Sequence, residues 1–139
     1  PGAPSTQAAP TWHAPARFLR DDALNYRHAF HVGNFADLVK HATLLRLLAR
    51  LTGAGGPLTV IDTHAGRGLY DLAGAEAKKS GEAEAGIARL LAASDAPPEF
   101  APLTAAVRAL NGGRPARRYP GSPWLIAEAL RPGDSYLAC

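Results

Sequence analysis

Leu58-Thr59-Val60-Ile61-Asp62-Thr63-His64-Ala65-Gly66-Arg67-Gly68 is the stretch on which the fold turns. A short apolar, β-branched run follows the turn residues Gly55-Gly56-Pro57 and ends in an acid, which reads as a buried strand. Behind it comes a loop holding Gly66 and Gly68. In open α/β sheets the carboxyl edge of a strand is where ligands bind. Glycines there allow close backbone approach and positive φ. An ordinary strand-to-helix turn would look similar.

The loop lacks the third glycine of the dinucleotide fingerprint, because Leu69-Tyr70-Asp71 follows Gly68. That favours a nucleoside ligand such as S-adenosylmethionine over a pyrophosphate.

Upstream, the spacing predicts a helix starting near Asn34. Asn34 suits an N-cap, and Asp37 three residues on resembles a capping box. Phe35, Leu38, Ala42, Leu45, Leu48 and Ala49 recur at helical spacing and form its expected apolar face, and Gly53 is a natural stop. Downstream, 82–93 and 99–111 read as helices, separated by Asp95-Ala96-Pro97-Pro98. Tyr119-Pro120-Gly121-Ser122-Pro123 reads as a tight loop, 124–130 as a helix and 135–139 as a second strand. Two strands separated by helices should lie parallel in one sheet. Parallel sheets are buried on both faces and need more members, so further strands are expected beyond Cys139.

The chain has 139 residues, about one domain, and 47% are hydrophobic, enough for a core. No apolar run reaches the roughly 18 residues of a membrane span. No basic segment followed by an apolar core marks a secretory signal. The only cysteine is Cys139, so no internal disulfide can form, and a cytoplasmic monomer is expected. Residues 1–23, rich in Pro, Ala, Ser and Thr, read as a disordered extension or a mis-assigned start, and the sequence contains no methionine. The net charge of +3 permits an anionic partner without demanding one. Residues 71–112 carry four Lys/Arg against six Asp/Glu, whereas 113–139 carry four against two. Arg114, Arg117 and Arg118 form the densest basic cluster, which suits a solvated loop or phosphate contacts.

Residues 26–41 concentrate His28, His31 and His41 with Tyr26, Phe30, Phe35, Arg27 and Lys40. A metal site completed by Asp37 or His64 is conceivable, although the spacing fits no common metalloenzyme pattern. An aromatic beside basic residues also suits stacking on a nucleobase.

These segments carry a resemblance. Tyr26-Arg27-His28, Gly33-Asn34, Asp37-x-x-Lys40-His41 and Asp62-Thr63-His64-Ala65-Gly66-x-Gly68 resemble the N-terminal part of the ribosomal RNA large subunit methyltransferase J family. So do Gly81-Glu82, Gly86-Ile87-Ala88-Arg89 and Tyr119-Pro120-Gly121-Ser122-Pro123, and the likeness covers residues 24–139. The resemblance implies an α/β, Rossmann-like fold with a helical insertion over 71–118. It implies S-adenosylmethionine as cofactor and methyl transfer to the N6 of an adenine in 23S ribosomal RNA. It places cofactor contacts on His41, His64 and Ser122, with Lys40, Gly66 and Gly68 beside them, and a contact with substrate RNA on Tyr26. No metal is implied. The family's catalytic Asp, in an Asp-Pro-Pro-Tyr motif, would lie beyond Cys139, so this chain alone is expected to be inactive. A non-catalytic RNA-binding module and a histidine-ligated metal hydrolase are the alternatives.

Overall fold

The computed structural model describes residues 30–139. Tyr26, Arg27, His28 and the expected extension over 1–23 lie outside the described residues.

Helix α1 (Phe35–Gly53) starts where expected, with the Asn34 side chain accepting the Asp37 amide at 3.0 Å. Asp37 does not reach back to Asn34, as a capping box would. Its carboxylate accepts the Gly33 amide instead, at 3.1 Å. The expected apolar face is partly wrong. Phe35 is 74% exposed and Ala49 is also exposed, while the buried positions are Asp37, Leu38, His41, Ala42 and Leu48. Two polar side chains therefore occupy the inner face of this helix, a placement that needs partners in the interior.

Strand β1 (Thr59–Asp62) pairs in parallel with β4 (Ser135–Ala138), Thr59 opposite Ser135 and Asp62 opposite Ala138. The parallel arrangement is as expected, but β1 is not buried. Ile61 is 61% exposed and its partner Leu137 is 55% exposed, because only one side of this pair is covered among the described residues. Asp134 ties the two strands at their start. Its carboxylate accepts the Leu58 amide at 2.8 Å, the Arg131 amide at 2.8 Å and Arg131 Nε at 3.0 Å. The Arg131 guanidinium in turn donates to the carbonyls of Thr52 and Gly56, so one ion pair joins the end of α1, the following turn and both strands.

A second, antiparallel pair was not expected. Strand β2 (Leu69–Asp71) runs against β3 (Arg118–Pro120), with Tyr70 opposite Tyr119. Each strand has three residues, too short to show alternation. Residues 118–120, expected as loop, are strand, and α5 (Ser122–Ala129) begins at Ser122 rather than 124. Asn111 closes this region by accepting the Arg117 and Arg118 amides, each at 2.9 Å, and donating to the Arg118 carbonyl.

Between β2 and β3 run α2 (Ala75–Ser80), which the pattern did not reveal, a π-helical turn (Glu84–Ala88), α3 (Arg89–Ala92), a 3₁₀ turn (Pro98–Phe100) and α4 (Ala101–Leu110). The π turn has a tertiary cause. The Ile87 amide leaves the helical ladder and donates to the Gly33 carbonyl at 2.9 Å. Only glycine fits at 86, where a Cβ would stand 2.0 Å from that same carbonyl oxygen. Gly33, at φ +72°, provides the left-handed backbone on the other side. The core gathers here, around Val32, Leu38, Tyr70, Ile87, Leu103, Val107, Tyr119 and Leu125.

Gly86→Ala is expected to destabilise the protein by about 2–3 kcal/mol, the usual scale of a forced steric insertion, read as a fall in Tm. Asp134→Asn tests the ion pair. Arg131 and the two amides hold the Asp134 carboxyl well below the ordinary carboxylate range. A depressed folded-state value stabilises above the unfolded pKa, about 4, and that stabilisation disappears as pH falls toward the folded value. Asp134→Asn should therefore lower Tm at neutral pH, with the gap from the parent chain closing below about pH 4.

Candidate functional site

A cavity of about 520 Å³ opens between the start of α1, the loop after β1 and the start of α5. It is lined by Asn34, Ala36, Asp37, Lys40, His41, His64, Gly66, Tyr70, Gly121 and Ser122. The volume lies within the roughly 300–1,000 Å³ of small-molecule sites. Lys40, His41, His64, Gly66 and Ser122, singled out from three separate parts of the sequence, thus share one cavity. Gly68 is not among the lining residues. Its carbonyl accepts the Gly121 amide at 2.8 Å, and a Cβ on Gly68 would meet nothing within 4 Å.

The glycines of the loop act differently from expectation. Neither Gly66 nor Gly68 has positive φ. Gly66 is small because Tyr70 lies beneath it: a Cβ there would stand 2.8 Å from the phenolic oxygen, which accepts the Arg67 amide at 3.1 Å. The tighter approach is at Gly121, where a Cβ would fall 2.1 Å from the Arg67 carbonyl oxygen. The two loops are packed backbone to backbone, and the closeness fixes the cavity floor.

Asp37 and His41 reach the cavity from the buried face of α1, at 3% and 1% exposure. Lys40 Nζ donates to Asp37 Oδ1 at 2.7 Å, so a buried carboxylate is neutralised by a cation at the cavity wall. His41 Nδ1 and the Tyr119 hydroxyl share a hydrogen bond of 2.9 Å, with their rings tilted by 36°. Burial, and secondarily the nearby Asp37 charge, push the Tyr119 phenol far above its ordinary range. It presents a neutral hydroxyl to His41 at any physiological pH. His64 sits on the exposed rim, its Nδ1 2.9 Å from Thr63 Oγ1 and its amide donated to Asp62 Oδ1 at 3.2 Å. Ser122 begins α5, whose first turn offers amide groups and a favourable dipole to an anion.

The described histidines each bond a different partner. His31 bonds Glu82, His41 bonds Tyr119 and His64 bonds Thr63, and among the described residues no group of three His, Cys, Asp or Glu could hold a metal. No helix among the described residues is long and apolar enough to cross a membrane. Tyr26 lies outside the described residues. Sequence reasoning missed Tyr70 and Gly121 as lining residues. An aromatic directly after a glycine loop, and a glycine between Pro120 and Ser122, were the available signals.

The family described as "Ribosomal RNA large subunit methyltransferase D, RlmJ" matches residues 55–139. Two relatives, each named ribosomal RNA large subunit methyltransferase J, come from Haemophilus influenzae and Escherichia coli. The first is 41% identical over 115 residues, covering 82% of this chain and 41% of its own length. The second is 39% identical over 112 residues, covering 81% and 40%. A crystal structure of a Legionella pneumophila protein is similar with a TM-score of 0.69 and 38% identity, covering 78% of this chain and 40% of that one. The chain spans about two fifths of the length of the relatives it matches.

Tyr119→Phe tests the buried pair at the back of the cavity. Removing the hydroxyl while keeping the ring is expected to cost about 1–2 kcal/mol of stability, measured by denaturant unfolding.

Proposed function

The chain belongs to the ribosomal RNA large subunit methyltransferase family, and from that premise we propose that its cavity holds S-adenosylmethionine. The reaction it serves is methyl transfer to the N6 of an adenine in 23S ribosomal RNA. One observation carries the reading: Lys40, His41, His64, Gly66 and Ser122 line one cavity. The β1–β4 pair with its glycine loop is read as part of a Rossmann-like sheet, with the ligand at its carboxyl edge.

The residues suit this group. Gly66 and Gly121 let the two loops of the cavity floor pack against Tyr70 and the Arg67 carbonyl, which fixes the surface on which a flat nucleoside would lie. The start of α5 with Ser122 suits the cofactor's carboxylate. Asp37 and Lys40 place a charge-balanced ion pair in the wall, which adds polar groups to the cavity without net charge. When bound, the cofactor supplies a methyl group on a sulfonium, a good leaving group. The protein's share is therefore mostly orientation. His41, locked against Tyr119, forms a rigid wall. His64 stands at the exposed rim.

The RNA is proposed to meet the basic cluster Arg114, Arg117 and Arg118, of which Arg117 is well exposed and only loosely paired with Asp71 at 3.8 Å. Tyr26 is proposed as its stacking partner.

Titration calorimetry decides the cofactor reading. S-adenosylmethionine is expected to bind this chain, and His64→Ala and Ser122→Ala should each weaken binding about tenfold, the worth of one hydrogen bond to a charged group. A chain that binds a short ribosomal hairpin but no S-adenosylmethionine would instead be a plain RNA-binding module.

A further inference from the structure

We propose that Glu82 is a positioning residue that sets the Asn34–Asp37–Lys40 wall of the cavity from outside it. The proposal rests on the cofactor reading above. Glu82 is not a lining residue and belongs to the helical segment between β2 and β3. Its two carboxylate oxygens are both engaged. Oε2 accepts Asn34 Nδ2 at 2.9 Å, and Oε1 bonds His31 Nδ1 at 2.9 Å. These bonds hold the Glu82 carboxyl below its ordinary range, so it remains a charged acceptor near neutrality.

Asn34 passes the constraint inward. Its Oδ1 accepts the Asp37 amide at 3.0 Å, Asp37 Oδ2 accepts the Gly33 amide at 3.1 Å, and Asp37 Oδ1 accepts Lys40 Nζ at 2.7 Å. The amide of Asn34 is thus held at both ends. Capping alone does not explain asparagine here, since Ser, Thr or Asp would cap α1 as well. Asn34 accepts from the helix with Oδ1 and donates to Glu82 with Nδ2; Asp has no donor, and the shorter Ser or Thr hydroxyl would have to serve both partners from one atom. The neighbouring backbone bond from Ile87 to Gly33 brings the helical segment to the same point. Its position and that of the cavity wall are therefore set together.

The test uses calorimetry with S-adenosylmethionine on the whole chain. Glu82→Ala is expected to weaken binding about tenfold, and no more than about twofold further when Asn34→Ala is already present. Glu82→Gln, which keeps an acceptor for Asn34, should recover most of the affinity. Asn34→Ser keeps a cap but loses the reach to Glu82, and should resemble Glu82→Ala. It serves equally if Glu82→Ala does not fold. A lowered Tm with unchanged affinity in these variants would overturn the proposal, because Glu82 would then be merely structural. Hydrogen exchange supplies a readout independent of any ligand. The Asp37 amide should exchange at least about tenfold faster in Glu82→Ala or Asn34→Ser, while the Val107 amide stays protected. If the parent chain binds no S-adenosylmethionine, the cofactor reading falls, and unchanged Asp37 exchange would then also reject the role of Glu82.

Discussion

The hydrogen bond from the Ile87 amide to the Gly33 carbonyl is the contact on which the arrangement rests. It joins two backbones far apart in sequence, and backbones meet this closely only where side chains are absent. Gly86 is therefore fixed by the Gly33 oxygen 2.0 Å from where a Cβ would be. The departure of the Ile87 amide from its own ladder produces the π turn. The left-handed Gly33 then delivers the chain into α1 with Asn34 at the cap and Asp37 turned inward. One bond thus links the core, which lies among the helices, to the wall of the cavity.

The second constraint is electrostatic. Asp37 and His41 occupy the inner face of α1 where apolar residues would be cheaper, and each carries a partner. Asp37 holds Lys40 and the Gly33 amide, while His41 meets the neutral Tyr119 hydroxyl. Such satisfied polar groups contribute little net stability compared with an apolar core of the same shape. Their value lies in fixing where charge and hydrogen-bonding capacity stand at the cavity.

Close packing of glycine against backbone recurs at Gly121 and the Arg67 carbonyl, and it holds the two loops on the floor together. The antiparallel β2–β3 pair beneath them places Tyr70 under one loop and Tyr119 behind His41. That short pair, rather than the parallel β1–β4 pair, carries the buried aromatic residues of the site. The outer side of β1–β4 leaves Ile61 and Leu137 exposed.

Much of this was legible in the residues themselves. The Asn34 cap, the length of α1, the strand before the glycine loop and the parallel partner at 135–139 follow from local chemistry: capping, periodicity and β-branched runs bounded by turns. So did the choice of Lys40, His41, His64, Gly66 and Ser122, by family resemblance, as residues worth placing together. Contacts between distant segments were not legible. A three-residue strand has no periodicity of its own and exists only because Tyr70 finds Tyr119 across the sheet. The π turn exists only because Ile87 finds Gly33. Local sequence chose the helices and their caps. Tertiary packing decided which side of α1 faced inward, why Gly86 and Gly121 must be small, and how Glu82 reaches Asn34. A side chain's neighbours, unlike its propensities, are set by the whole chain at once.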